Sequence, residues 1–353
     1  MVTLVLIVLV ISLLILVHEW GHFYSARKLG VKVEEFGFGF PPKLFSFTKK
    51  GVRYSLNLLP LGGFVKIFGE HGEGEGEKAS FISRPAWQRF IILAAGVFMN
   101  LVLAWVFFSV GAGLGVPRVS EVANVPVSIL GVLPNSPAEA VGLKFGDQIL
   151  EMKSSEVSLR IESEEDIQDF TDAHRGEEIV LSIRRGKAVE EIRVTPRVVV
   201  PEGEGPLGVA LGRLEIKRTP WYLAPFEGLN ILVRSTISTV EGLAFILRDI
   251  AVEGRTKVAV SGPIGIFNFA NDSRSLGASF FLQFIGILSV NLAVLNFLPI
   301  PALDGGRILF LLIEKVKGRR INPALENLVH AIGFVVLILL MILVTYRDIT
   351  RIL

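Results

Sequence analysis

The sequence predicts a polytopic α-helical membrane protein: four transmembrane helices, membrane-associated β-hairpins and one inserted α+β domain. Three observations predict it. The chain of 353 residues is 51% hydrophobic, with a mean hydropathy of +0.55. This apolar character is gathered into four long uncharged runs, each near or above the about 20 helical residues that cross a hydrocarbon core. Between the second and third runs charges, Gly and Pro recur throughout, so that stretch must fold outside the membrane.

Residues 1–30 form the first span, built on the run from Val2 to Val17. A cleaved signal peptide is the alternative. Against it, no basic residues precede the run, which passes straight into His18. Residues 31–68 contain short strands, Val31 to Val33, Phe36 to Phe40 and Tyr54 to Leu58, too apolar for an ordinary cytosolic loop. They predict hairpins dipping into the membrane, tolerable only where other protein satisfies their backbone groups. Residues 69–88 form a cytoplasmic loop whose alternating Glu and Gly, from Glu70 to Glu77, predict a mobile segment. The second span is 89–116.

Residues 119–200 form the inserted domain. Short apolar runs (Ile129 to Leu133, Gln148 to Met152, Ile179 to Ile183, Glu191 to Thr195) alternate with turn residues, and a helix is expected near Glu165 to Ala173. Within 201–274, the stretch 225–250 predicts an amphipathic helix. Glu227, Arg234, Glu241 and Arg248 form one polar stripe beside an apolar one of Phe226, Val233, Val240 and Leu247. It is read as lying on the outer membrane surface, with a helix packed on the inserted domain as the alternative. The third span, 275–304, ends in Leu303-Asp304-Gly305; 305–326 is a second cytoplasmic loop and 327–346 the fourth span.

Lys and Arg set the orientation. Eleven of them lie from Arg27 to Arg89, and Arg307, Lys315, Lys317, Arg319 and Arg320 follow the third span, so both loops belong in the cytoplasm. The termini and the inserted domain then lie outside. A net charge of +2 argues against nucleic acid as a partner, and the lack of Cys excludes thiolate ligands, a Cys nucleophile and disulfides.

His18-Glu19-Trp20-Gly21-His22 carries the chemistry. Two imidazoles at i and i+4 stand on one helix face, where both reach one zinc ion, with Glu19 beside them as general base. Ionisable residues at the end of an apolar helix are functional by default, with interfacial histidines as the alternative. A catalytic zinc needs a third protein ligand. Asp304 ends the third span at the same cytoplasmic depth as His18 and His22; a turn residue before two glycines is its alternative reading. His330 is read as a headgroup-level residue.

On these residues the chain resembles the site-2 protease family, in its bacterial type with an extracytoplasmic PDZ domain. The matching stretches are His18 to His22, Gly96-Val97-Phe98-Met99-Asn100, Ser261-Gly262-Pro263-Ile264 and Asn296 to Gly305. Leu133 to Glu139 and Gly142 to Asp147 resemble a PDZ core, so 119–200 is expected to be PDZ-like. Some relatives carry two tandem PDZ modules; here there is room for one. The resemblance implies an intramembrane zinc metalloprotease of the bacterial inner membrane. Its implied partners are the lipid bilayer and single-span membrane proteins, of the anti-sigma-factor type and also signal-peptide remnants. It implies roles near the active site or substrate backbone for Asn100 and Asn296, for which interhelical hydrogen bonding is the alternative. Gly37 and Gly39 mark either an exposed hairpin edge that pairs with substrate or ordinary bulges. Two other classes remain: a scaffold with a structural metal, against which Glu19 speaks, and an ion transporter, which would need more ionisable residues within the spans.

Overall fold

The computed structural model describes residues 2–120, 125–133, 135–186, 188–201, 203–254 and 262–352. Ser261 and Pro134, each part of a motif above, lie outside them. The chain forms two compact units, one from 1–110, 223–270 and 282–353, the other from 111–222 and 271–281.

The first unit begins with α1 (Val2–Lys28), without a charged residue until Glu19 and ending in Arg27 and Lys28, whose charges suit the negative end of the helix dipole. Strands β1 (Val33–Lys49) and β2 (Val52–Ile67) follow as an antiparallel pair, and α2 (Ala86–Leu114) runs back through the unit. Both strands bend, so the sheet has four adjacent segments in the order 43–49, 52–57, 33–38 and 63–67. Phe23, Ala26, Val33, Val52, Ile92 and Ile308 form one buried cluster that joins α1, the sheet and α2.

Gly37 therefore does not lie on an edge. It is buried, with Phe64 as partner on one side and Ser55 on the other. Gly39 is buried within β1 with a left-handed φ of +77°, and its carbonyl accepts from Asn57 Nδ2 at 3.0 Å. Sequence alone shows the glycines but not the fold-back of β2 that covers them.

The second unit holds β3 (Val116–Ser120), β4 (Val127–Val132), α3 (Pro137–Ala140), β5 (Gln148–Lys153), β6 (Ser158–Arg160), α4 (Glu164–Ala173), β7 (Ile179–Arg185), β8 (Ala188–Val194) and β9 (Val209–Lys217). Its sheet runs β3-β9-β4-β5-β7-β8, with β6 added to β5. Ile129, Ile149, Met152, Ile167, Leu181 and Ile183 make its core. A capping box starts α4: Ser163 Oγ accepts from the Asp166 N–H, and Asp166 accepts from the Ser163 N–H. The sheet draws on residues before 119 and beyond 200, because β9 pairs with both β3 and β4. Two contacts hold the flanks of this unit. The Thr219 N–H donates to the Ala112 carbonyl at 3.0 Å, and Lys144 Nζ meets Asp272 at 2.5 Å.

The remaining helices are α5 (Ala224–Glu253), α6 (Pro263–Leu276), α7 (Ala278–Phe297), α8 (Asp304–Lys317) and α9 (Pro323–Ile352). Among the described residues five helices, α1, α2, α5, α7 and α9, are long and apolar enough to cross a membrane, so the expected count of four is not reproduced by length and composition. The added one is α5, which is also not confined to the helix ends. Trp105 Nε1–H donates to the Pro225 carbonyl at 2.9 Å, and Ile231 and Leu232 pack on Phe108 and Val290. Thr239 Oγ1 donates to Asn291 Oδ1 at 3.0 Å, well inside α7. Apolar packing and a satisfied hydroxyl draw this stretch against α2 and α7, which periodicity within 225–250 cannot reveal.

The Glu/Gly segment expected to be mobile is tied down. Glu70 pairs with Arg307, Glu75 with Arg320 at 2.8 Å, and His71 Nδ1 lies 3.3 Å from Asn327 Oδ1. The segment is thereby fastened to α8 and the start of α9.

Candidate metal centre

The site is assembled from three helices of the first unit. Successive turns of α1 place His18 and His22 on one face, both buried. The chain leaves α7 through Leu298 to Leu303, rich in proline, and Asp304 opens α8. His18 Nε2 lies 2.9 Å from Asp304 Oδ2, His22 Nε2 lies 3.3 Å from the same oxygen, and the two Nε2 atoms are 3.1 Å apart. Three possible ligand atoms thus converge, all within 4.8 Å of one another, from residues 286 positions apart in sequence.

Around them lie groups that orient the rings. His22 Nδ1–H donates to the Ile92 carbonyl at 2.8 Å, which leaves Nε2 with its lone pair facing the cluster. The Asn100 amide stands 3.2 Å from His18 Nδ1, fully buried, and its backbone carbonyl accepts from Ser289 Oγ at 2.7 Å. For His18 Nε2 to offer a lone pair, Nδ1 must carry the proton and the amide must turn Oδ1 toward it. Asn100 thus touches a candidate ligand. Asn296 is half-buried in the last turn of α7 and takes no part in the hydrogen bonds that join the three converging side chains.

Glu19 is held from the sheet. Its Oε2 accepts from the Val65 N–H at 3.0 Å, across the free side of segment 63–67. Sequence reasoning missed this strand edge, since a backbone N–H leaves no mark in side-chain patterns. It also left Gly96 as only part of a motif. A Cβ at Gly96 would collide with His22 Nε2 and lie 2.7 Å from His18 Nε2, so α2 can close on the imidazoles only as glycine.

Comparison with known proteins identifies the family. The model of peptidase family M50 matches residues 6–340. The chain belongs to peptidase family M50. A Clostridium perfringens protein whose name describes a zinc metalloprotease is 36% identical, over 97% of this chain and 96% of its own length. Regulator of sigma-W protease RasP of Bacillus subtilis is 30% identical, over 99% of this chain and 98% of its own. Zinc metalloprotease RasP of Oceanobacillus iheyensis is 29% identical over 99% of both. The PDZ domain of an SdrC-like protein from Listeria monocytogenes is similar over 26% of this chain and 93% of its own, at 20% identity and a TM-score of 0.22. As a member of M50 with several membrane-length helices, the chain is a multi-pass intramembrane zinc metalloprotease.

The donor set fits that metal. Two imidazole nitrogens and one carboxylate are the ligand types of catalytic zinc sites, which keep a further position open for water or substrate.

Proposed function

We propose that His18, His22 and Asp304 hold the zinc ion and that Glu19 is the general base in cleavage of peptide bonds within transmembrane segments. The convergence of the three side chains beside Glu19 carries this reading. When bound, zinc supplies Lewis acidity and makes water a nucleophile at neutral pH. Glu19 takes the proton of the attacking water and delivers it to the leaving amine nitrogen. The Val65 N–H occupies Oε2 and so directs Oε1 to that transfer. The Asp304 carboxylate balances positive charge at the centre, and Asn100 and Ile92 keep the two imidazoles turned to it.

A helical substrate hides its amides and must unwind. We infer that the unwound stretch adds to the edge of segment 63–67, beside Glu19, and that Asn296 binds its backbone; Gly37 and Gly39 shape the sheet rather than its edge. The substrates proposed are single-span membrane proteins of the anti-sigma-factor type, with signal-peptide remnants as a second group. The sigma-W regulator among the relatives supports the first.

The enzyme is placed in the bacterial inner membrane, with the metal centre toward the cytoplasm. The inserted domain, PDZ-like, lies outside and acts as a gate against substrates with bulky outer parts. Four complete crossings are proposed, by α1, α2, α7 and α9. The anchoring of Thr219 and of Asp272 within the second unit supports reading the chain between them as leaving and returning on one side. With 14 residues, α6 rises about 21 Å, short of the ~30 Å core, which supports reading α5 and α6 as entering from outside rather than as two helical crossings.

Replacing Glu19 by Gln tests the assignment. The variant should keep zinc and lose cleavage, and cells carrying it should accumulate trimmed membrane stubs. Loss of zinc with Glu19→Gln, or retained cleavage, would overturn it.

A further inference from the structure

We propose that His330 is a positioning residue for the metal centre: from α9 it holds the Pro301-Ala302 turn that presents Asp304. The proposal rests on Asp304 being a zinc ligand. His330 Nδ1 accepts a hydrogen bond from the Ala302 N–H at 2.9 Å. An amide N–H can only donate, so the imidazole is neutral, with its proton on Nε2. The histidine read from sequence as a headgroup-level residue is thus engaged with the backbone two residues before Asp304.

Within the turn the Ile300 N–H donates to the Leu298 carbonyl and the Leu303 N–H to the Ile300 carbonyl, and His330 anchors it from outside. Ala302 has φ of +80°, a left-handed backbone that a residue with a Cβ adopts rarely and only where its surroundings impose it. Pro299 and Pro301 have no N–H to contribute. Three residues after His330, the backbone of α9 presses on the same turn at Gly333. A Cβ there would lie 2.5 Å from Pro301 Cβ and 2.6 Å from its carbonyl oxygen. From α8, the Phe310 ring packs on the imidazole with centroids 5.7 Å apart and fixes its plane. The turn is thus gripped by a hydrogen bond at Ala302 and by backbone contact at Pro301.

Asp304 follows directly, its Oδ2 2.9 Å from His18 Nε2 and 3.3 Å from His22 Nε2. His18 and His22 ride on one continuous helix and hold each other in register, whereas Asp304 depends on how this turn is set. Outer partners that orient a metal ligand are worth about 10- to 100-fold in affinity. His330 acts on the centre through Ala302 and touches no reacting atom.

The test compares His330→Leu with His330→Asn in the full-length protein in detergent. Leucine is similar in bulk and has no acceptor; asparagine places Oδ1 near the position of Nδ1. Zinc affinity is measured by chelator competition, and ligand geometry by the absorption bands of the cobalt-loaded protein. Leucine should weaken zinc by about tenfold or more and alter the cobalt bands, and asparagine should restore both. Gly333→Ala, which displaces the turn through Pro301 and leaves the ring intact, should weaken zinc as leucine does. Wild-type affinity and bands in His330→Leu, or no recovery in a folded His330→Asn, would overturn the proposal. Asp304→Ala separates the two readings. If it binds zinc as the wild type does, the ligand assignment fails; if it loses zinc while His330→Leu keeps it, only the positioning role fails.

Discussion

The side-chain amide of Asn100, on α2, faces Nδ1 of His18, on α1, at 3.2 Å in a fully buried setting. A ligand imidazole whose second nitrogen is held this way keeps its tautomer and its aim. Asn100→Ala should lower zinc affinity about 10- to 100-fold, read by chelator competition, while Asn100→Asp, which keeps an acceptor for Nδ1–H, should lose less. Equal zinc affinity in wild type and Asn100→Ala would show that His18 is aimed without it.

Gly96→Ala isolates a steric effect. Within a helix, alanine is favoured over glycine by about 1 kcal/mol, so α2 itself should not suffer. The added methyl would enter the space of His22 Nε2. The variant should fold, enter the membrane and purify with little zinc. Full metal content on elemental analysis would mean that the imidazoles can retreat.

Arg89 and Glu314 form a nearly buried pair, 2.7 Å apart, with side chains only 12% and 10% exposed. Removing one partner strands the other charge, at a cost of about 3–5 kcal/mol. Arg89→Met should therefore lower resistance to thermal unfolding and proteolysis in detergent. Arg89→Met with Glu314→Leu should recover most of the loss. No recovery in the double variant would place the cost in lost packing rather than in an unpaired charge.

Topology can be read by labelling, because the chain has no native Cys. Single cysteines replacing Tyr222 and Arg274, both exposed, should react with an impermeant reagent from outside intact cells. A cysteine replacing Lys317 should react only after permeabilisation. Opposite accessibility of positions 222 and 274 would mean an odd number of crossings between them, and the four-span reading would fall.

The metal-site geometry was legible because its signals are local. His18, Glu19 and His22 share one helix, and Asp304 could be matched to them by depth alone; the structure brings its Oδ2 to 2.9 Å from His18 Nε2. What stayed hidden depends on backbone groups and on contacts distant in sequence. The Val65 N–H that holds Glu19 belongs to a residue with no polar side chain. The interior position of Gly37 follows from a fold-back of β2 that strand propensity does not encode. The charges of 70–77 look like a solvated tract until Arg307 and Arg320 arrive from more than 200 residues downstream. His330 carried too little context to be linked to Ala302. For α5, the stripe of charges described one face, whereas its contacts with Phe108 and Asn291 reside in the other helices.

The anchoring of Thr219 to Ala112 and of Asp272 to Lys144 has a consequence for how such enzymes diversify. On the proposed topology, a segment whose two ends are fastened to the same unit behaves as a cassette. Its interior can gain or lose length without inverting the helix that delivers Asp304, because its ends keep their separation and their side. Selection can then rework what is admitted to the enzyme while the cutting chemistry stays untouched.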